Sequence, residues 1–491
     1  MKLKVKHHKW SAGRPVAILN KEIAKILFAG LSERILIEYG SKRIVAVLDL
    51  SSKIAERGEI VLSTEILEYL NLSGGEIVNV EVAIKPRAIQ VINKKLKGEK
   101  LKEKDIFSIV RSIVNNELSE TEIAFFISAV YERGMSMDET AWLTKAMYKT
   151  GNKLGLKNKV IVDKHSIGGI AGNRTTPIVV SICAAAGLIM PKTSSRAITS
   201  AAGTADVLEA ICDVNFSIAE IKKIVQKTNA CMVWGGALGF APADDKIIRV
   251  ESAINIDPEP NLLASIMAKK LSVGSKFVLI DIPQGKYAKV DMKKAKRLSS
   301  EFEQIGRKFN IKVKCVITDG SQPIGNGIGP VMELRDIILI LKNENGPKDL
   351  RKKSIFLAGQ LFELCGKTKK SQGEKLAEEI LSSGKAYEKF QQIIKAQKGS
   401  LSNSRLSIAK FSHEIKADKN CRISMIDNKK INLLGRIAGS PNDKKAGLYL
   451  HGHLGDNFSK GDKILTIYSQ SKQKLSDAID FYKENDIIEV R

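Results

Sequence analysis

The stretch DKHSIGGIAGNRTT, residues 163–176, constrains this chain more than any other. A β-branched run (Val160, Ile161, Val162) leads into it, and an apolar segment long enough for a helix, residues 178–190, follows. Strand, glycine turn and helix start together aim several unpaired backbone N–H groups at one point, along with the positive end of a helix dipole. Gly168 and Gly169 let the backbone come close. Lys164 adds a charge there, and Ser166, Thr175 and Thr176 add hydroxyl donors. The triphosphate-loop pattern and the dinucleotide GxGxxG pattern are both absent. What is left is a site for a single small anion, most simply phosphate. The same residues would also make a plain strand-to-helix turn with Lys164 in solvent.

At 491 residues the chain is too long for one core, so roughly three or four domains are expected. Its net charge of +25 raises the question of a nucleic-acid partner. The lysines are scattered, however, aromatics make up only 5%, and no zinc-finger, helix-turn-helix or RNA-recognition signature occurs. Lysines spaced along helices form solvated faces. The balance favours a protein that handles small anions, without a specific nucleic-acid partner. The six cysteines are far apart with no CxxC pair, which points to reduced thiols and away from a disulfide frame or a zinc site. MKLKVKHHKW has no apolar core of a secretory signal, and no apolar run is long enough for a bilayer. The expectation is a cytoplasmic protein with no membrane partner, no metal and no cofactor.

Residues 1–86 carry an internal echo. Asn20 and Ser63 each follow a β-rich run and open a short helix that leads to another β-branched segment. Two such halves predict a small pseudo-symmetric β-barrel with no catalytic set. KKLKGEKLKEK (94–104) reads as a connector. Beyond it, Ile106, Ile109, Val110, Ile113 and Val114 recur at helical spacing, and Ser119-x-x-Glu122 and Ser136-x-x-Glu139 are capping boxes. Residues 87–159 are therefore expected to be helical, with a returning segment at about 243–272. Residues 160–405 read as an α/β domain and 406–491 as an α+β domain with a barrel-sandwich-like plan.

Residues 191–209, PKTSSRAITSAAGTADVLE, fall one strand–helix unit beyond the first turn, where a parallel sheet would bring them to the same edge. Open α/β sheets bind ligands at that edge. Residues 255–270 place Asp257 in a Pro-rich turn ahead of Ser265 and Lys269, which are four apart and share a helix face. Residues 276–283 and 312–319 are predicted strands.

Lys164-His165-Ser166-x-Gly168-Gly169, the hydroxyl-rich turn at 193–206 and ASIMAKK at 264–270 together resemble the thymidine/pyrimidine-nucleoside phosphorylase family over residues 88–491. The N-terminal module, AITSAAGTAD at 197–206 and INIDPEP at 254–260 resemble one branch of it, the archaeal-type AMP phosphorylases. The resemblance implies a helical domain facing an α/β domain across a cleft, a C-terminal α+β piece, and a homo-oligomer, dimer or larger. It also implies that AMP plus phosphate gives adenine plus ribose 1,5-bisphosphate, with CMP and UMP open as further substrates. By similarity, Lys164, Ser166, Thr175, Ser194 and Thr204 would hold the attacking phosphate. Gly169, Ser195, Arg196, Ala197, Ile198, Thr199, Ser200, Thr204, Ser265 and Lys289 would bind AMP, and Asp257 would be the proton donor.

Two departures weaken a thymidine assignment. An arginine that grips the pyrimidine ring is replaced at about Val250, and the family's HTGGT turn becomes Thr199-Ser200-Ala201-Ala202-Gly203-Thr204. The alternatives are a pyrimidine-nucleoside phosphorylase, a phosphoribosyltransferase related to the anthranilate enzymes, and a nucleic-acid-binding protein.

Overall fold

Alternating burial shapes the N-terminal strands. Only Leu3 and Val5 of Lys2–Lys6 turn inward, as do Ile35 and Ile37 of Arg34–Tyr39 and Ile44, Ala46 and Leu48 of Lys42–Leu50. With these inner faces the strands close into a six-stranded barrel, ordered Lys2–Lys6, Glu59–Leu62, Val16–Leu19, Lys42–Leu50, Arg34–Tyr39 and Ile77–Val82. Asn20 caps the helix Lys21–Ile26 by accepting from the Glu22 N–H. Ser63 does not cap Thr64–Leu70. Its hydroxyl accepts from Val16 N–H and donates to Arg14 O instead.

The computed structural model describes residues 1–156, 160–197 and 200–491, apart from the side chains of Asn403 and Ser404. These residues form two units, Met1–Thr150 with Pro242–Ser265, and Gly151–Ala241 with Ile266–Arg491. In the first unit the barrel is followed by the helices Arg87–Leu96, Glu103–Val114, Glu120–Arg133 and Met137–Thr150. The Arg34 guanidinium fastens the two parts by gripping both carboxylate oxygens of Glu122. Both capping boxes are present. The charged run at 94–104 is a connector only from Lys97 to Lys102. Lys95 belongs to the preceding helix and is buried, because Glu139 meets its ammonium at 2.8 Å. The helix Pro242–Ile254 returns to this unit, where Lys246 donates to the carbonyls of Ile113 and Val114.

The second unit is built on parallel strands. Lys312–Asp319, Ser275–Gln284 and Ile161–Ser166 pair in that order, and Met190–Ser194 pairs with Ala230–Trp234. A parallel bridge between Ile161 and Ile189 joins the two groups. From Ile161–Ser166 the chain builds outward to one side, then returns to add two strands on the other. The central strand is thus the point where strand order reverses, and ligands of such sheets bind beyond the strand ends at that point.

Two boundaries differ from expectation. The first strand runs on through Asp163 and Lys164 to Ser166, so both charged residues are strand residues and not part of the turn. The apolar segment after Thr176 is not one helix to Met190: the helix Thr175–Ala185 ends ahead of Gly187, at φ +85°, and Met190 opens the next strand.

The C-terminal part carries two antiparallel sheets. One is ordered Gly327–Ile328, Gly447–Leu450, Lys463–Ser469 and Phe411–Lys416, and the other Asn457–Phe458, Cys421–Ile426 and Ile488–Val490. The glycine-rich link after residue 319 therefore supplies one strand to a sheet otherwise made after residue 410. All six cysteines are free. Among the described residues, no helix is long and apolar enough to cross a membrane.

Candidate active site

Side chains alternate along a strand, so Asp163 and Lys164 point to opposite faces of Ile161–Ser166. Asp163 is fully buried, 2.7 Å from the Lys270 ammonium and 3.6 Å from that of Lys192. Burial alone would raise its pKa, but the two lysines hold the carboxyl below the usual range. Burial in turn brings Lys192 down to about 7, against the pull of Asp163. His165, two residues on, shares the Asp163 face. Burial and the charges of Lys270 and Lys192 keep its ring neutral, well below its ordinary value.

On the other face, Lys164 is 1% exposed and donates to Thr175 Oγ1 at 2.7 Å. Thr175 is the first residue of the helix Thr175–Ala185, so a buried ammonium sits at the positive end of a helix dipole. Burial brings Lys164 down to about 8. Asp281 pulls it upward, and Lys353 and Arg174 push it further down. Asp281 faces Ser166 across the strand pair, is fully buried, accepts from the Thr318 hydroxyl at 2.6 Å and lies 3.1 Å from the Lys353 ammonium.

Ser166 is the last residue of the central strand, and Ser194 is the last residue of the strand bridged to it on one side. The hydroxyl oxygen of each is buried and has no hydrogen-bond partner among the described residues. Leaving such a group unmatched costs about 1–3 kcal/mol. Two open donors at neighbouring strand ends, near a lysine and a helix N-terminus, can accept an anion.

The turn between them is tightly built. Gly169, at φ +92°, lies so close to Lys289 that an added Cβ would fall 2.9 Å from both its N and its Cβ, which puts these two sequence-predicted residues side by side. Arg174 donates to Glu333 at 2.6 Å, to Thr204 Oγ1 at 3.0 Å and to Ala202 O at 2.7 Å. It thereby ties the first turn to the second. In the second turn both terminal nitrogens of Arg196 are engaged by Glu209, at 2.6 and 2.7 Å, and its guanidinium stacks 4.8 Å from the Trp234 ring. Ala197 N–H donates to Asp206, and the Ser200 hydroxyl donates to Ala202 O. Ser195 is exposed, and its carbonyl accepts from Ala205 N–H. Ile198 and Thr199 lie outside the described residues. Asp257 and Ser265 belong to the first unit. Asp257 is exposed in the turn before the helix Glu259–Val273, and the Ser265 hydroxyl donates to Asp244 at 2.8 Å. Among the described residues, no group of three or more His, Cys, Asp or Glu side chains could hold a metal ion.

Family models match three segments. The helical bundle domain of the glycosyl transferase family matches residues 89–151, the a/b domain of the same family matches 158–276, and the pyrimidine nucleoside phosphorylase C-terminal domain matches 422–489. The AMP phosphorylase of Thermococcus kodakarensis is 43% identical over 482 residues, which is 98% of this chain and 96% of that protein. That of Pyrococcus abyssi is 50% identical over 86% of this chain and 85% of its own length. The chain belongs to the AMP phosphorylase family. AMP phosphorylase 1 of Archaeoglobus fulgidus is another relative, 41% identical over 96% of this chain and 94% of its own. Anthranilate phosphoribosyltransferase of Thermus thermophilus has a similar fold, with a TM-score of 0.54 at 19% identity, covering 63% of this chain and 99% of that one.

Sequence reading passed over Arg174, Lys192 and Asp281. The signal for Asp281 was available, since an acid in the middle of the apolar run KFVLIDIPQ needs a buried partner. Arg174 stands inside the diagnostic stretch, but nothing in its neighbours along the chain distinguishes it from a solvated charge.

Lys164→Ala and Ser166→Ala should each raise KM for phosphate about ten- to a hundredfold while the chain stays folded, the effect of losing one charged contact of roughly 1.5–3 kcal/mol. Steady-state kinetics at limiting phosphate, with a melting curve for each variant, check this. Because burial brings Lys164 down to about 8, its charge is present below that pH and lost above it. KM for phosphate should therefore climb as pH rises through 8, and a KM profile should show that limb flattened in Lys164→Ala.

Proposed function

We propose that this chain cleaves AMP with inorganic phosphate to adenine and ribose 1,5-bisphosphate. The observation that carries the reading is the pair of buried hydroxyls, Ser166 and Ser194, at the ends of the central strand and of the strand bridged to it, each unmatched among the described residues, together with Lys164 at a helix start. The relatives named above supply the substrate. Phosphate rests against Lys164, Ser166, Thr175, Ser194 and Thr204. One of its oxygens bonds to ribose C1′ as the C1′–N9 bond breaks, and the bonding pair leaves with the base. The transition state carries positive charge on the sugar, so a fixed anion beside C1′ stabilises it by position and charge.

Asp257 is the proposed donor of the proton that neutralises the departing base at N7. General acid catalysis of this kind contributes about 10²–10⁴-fold. Asp257→Asn should therefore lower kcat strongly while leaving KM for AMP near its original value. An unchanged kcat would return Asp257 to a turn-forming role.

The 5′-phosphate of AMP is assigned to the second turn, Ser195 to Ser200 with Thr204, and to Gly169 and Lys289, with Ser265 on the nucleoside. Arg196 reaches that phosphate by sharing or releasing Glu209. In this reading the chain works as a cytoplasmic homo-oligomer with no cofactor. The deciding experiment incubates the protein with phosphate and a panel of nucleotides and nucleosides and identifies the products. AMP should be cleaved well and adenosine hardly at all, with kcat/KM apart by several powers of ten, and Lys289→Ala or Arg196→Ala should narrow that gap. Comparable rates on AMP and adenosine would overturn the assignment, and a preference for thymidine would replace it with pyrimidine-nucleoside phosphorolysis.

A further inference from the structure

The helix Asn428–Ile437 lies in the C-terminal part, far along the chain from the proposed phosphate turns, yet it holds both of them. Asp427 caps it by accepting from the N–H groups of Lys429 and Lys430. Asn428, Asn432 and Gly435 recur at i, i+4 and i+7, so they share one face. Asn428 is fully buried. Its amide oxygen accepts from Ala171 N–H at 3.1 Å, and its amide nitrogen donates to Gly320 O at 3.1 Å. Both ends of the amide are used, and that fixes its orientation. Asn432, 6% exposed, accepts from Ala201 N–H at 3.1 Å and donates to Asn428 O at 2.9 Å.

Ala171 stands in the first turn, two residues after Gly169, and Ala201 stands in the second. Neither side chain is exposed, and both pack into the C-terminal hydrophobic core with Ile431, Leu434 and Ala438. Gly435 permits the approach: a Cβ there would fall 2.9 Å from Ala201 Cβ, and an alanine methyl has nowhere to swing. This helix thus grips each turn through one hydrogen bond from a backbone N–H, the two bonds one helical turn apart, and Gly435 meets the second turn one helical turn further on.

We propose that Asn428 and the Asn432–Gly435 pair are positioning residues that set the register of the phosphate turn and the nucleotide turn against each other. The proposal rests on the ligand assignment of these turns given above. A helix is rigid over this length, so the spacing of its side chains becomes the spacing of the two turns. The substrate spacing needed for in-line attack is then held by the C-terminal part of the chain.

The test uses the full-length chain with Asn428→Ala, Asn432→Ala and Gly435→Ala, reading amide hydrogen exchange and the two KM values separately. Asn428→Ala should speed exchange in residues 167–174 and raise KM for phosphate about tenfold, the scale of one lost buried hydrogen bond. Asn432→Ala and Gly435→Ala should instead speed exchange around residues 200–203 and raise KM for AMP by a similar factor. Asn428→Asp keeps the acceptor for Ala171 N–H, so it should preserve protection of the first turn, and it serves if the alanine variant does not fold. Uniform loosening of both turns, or no change in exchange, would overturn the proposal. Turn-specific exchange with both KM values unmoved would leave the clamp standing and overturn the ligand assignment beneath it.

Discussion

The second unit depends on one buried carboxylate, Asp163, and the two lysines that meet it. A lone charge in that position would cost several kcal/mol, so none of the three groups can leave without stranding the others. The lysines come from a neighbouring strand and from the end of a helix, and the acid comes from the central strand. Three segments are therefore locked in register by charge. Because strand side chains alternate, fixing Asp163 and His165 on this face sends Lys164 and Ser166 to the other. The orientation of the proposed phosphate ligands follows from the orientation of a residue that touches no ligand.

The treatment of buried hydroxyls supports the same division between scaffold and site. Ser181, Ser272, Thr228 and Ser354 are all buried, and each donates to a backbone carbonyl. That is the ordinary behaviour of such groups. Ser166 and Ser194 break it together, at adjacent strand ends. Among the described residues, Ser275 and Thr368 also have unmatched hydroxyls, but Ser275 opens its strand where the other two close theirs, away from the edge at which parallel sheets hold ligands, and Thr368 follows the helix Lys348–Leu364.

Much of this was legible beforehand for physical reasons. The glycine turn between the first strand and the helix Thr175–Ala185 could be read from glycine spacing and flanking periodicity, which are local properties. The helical stripes and capping boxes were local as well. The reach of the first strand was not legible, because a sequence such as Val-Asp-Lys-His-Ser reads as a turn until its lysine partners, 29 and 107 residues further along, are known. Lys95 was misread for the same reason, since its partner Glu139 lies on another helix. The strand Gly327–Ile328 was also invisible: a two-residue strand in a glycine-rich link has no period, and only its pairing with Gly447–Leu450 defines it.

Arg174 completes the argument for treating the two turns as one object. Its guanidinium reaches Ala202 O and Thr204 Oγ1 from the first turn, and Glu333 anchors it from a third segment. Burial raises the Glu333 carboxyl pKa, while the guanidinium pulls it the other way. The Arg174 link runs between the turns directly, whereas Asn428 and Asn432 fasten each turn to a common helix. Displacing either turn alone would have to break one of these buried links, at about 1–3 kcal/mol for the stranded group. Two reactants bound in the turns would then keep a fixed separation, which is the condition under which binding energy becomes rate.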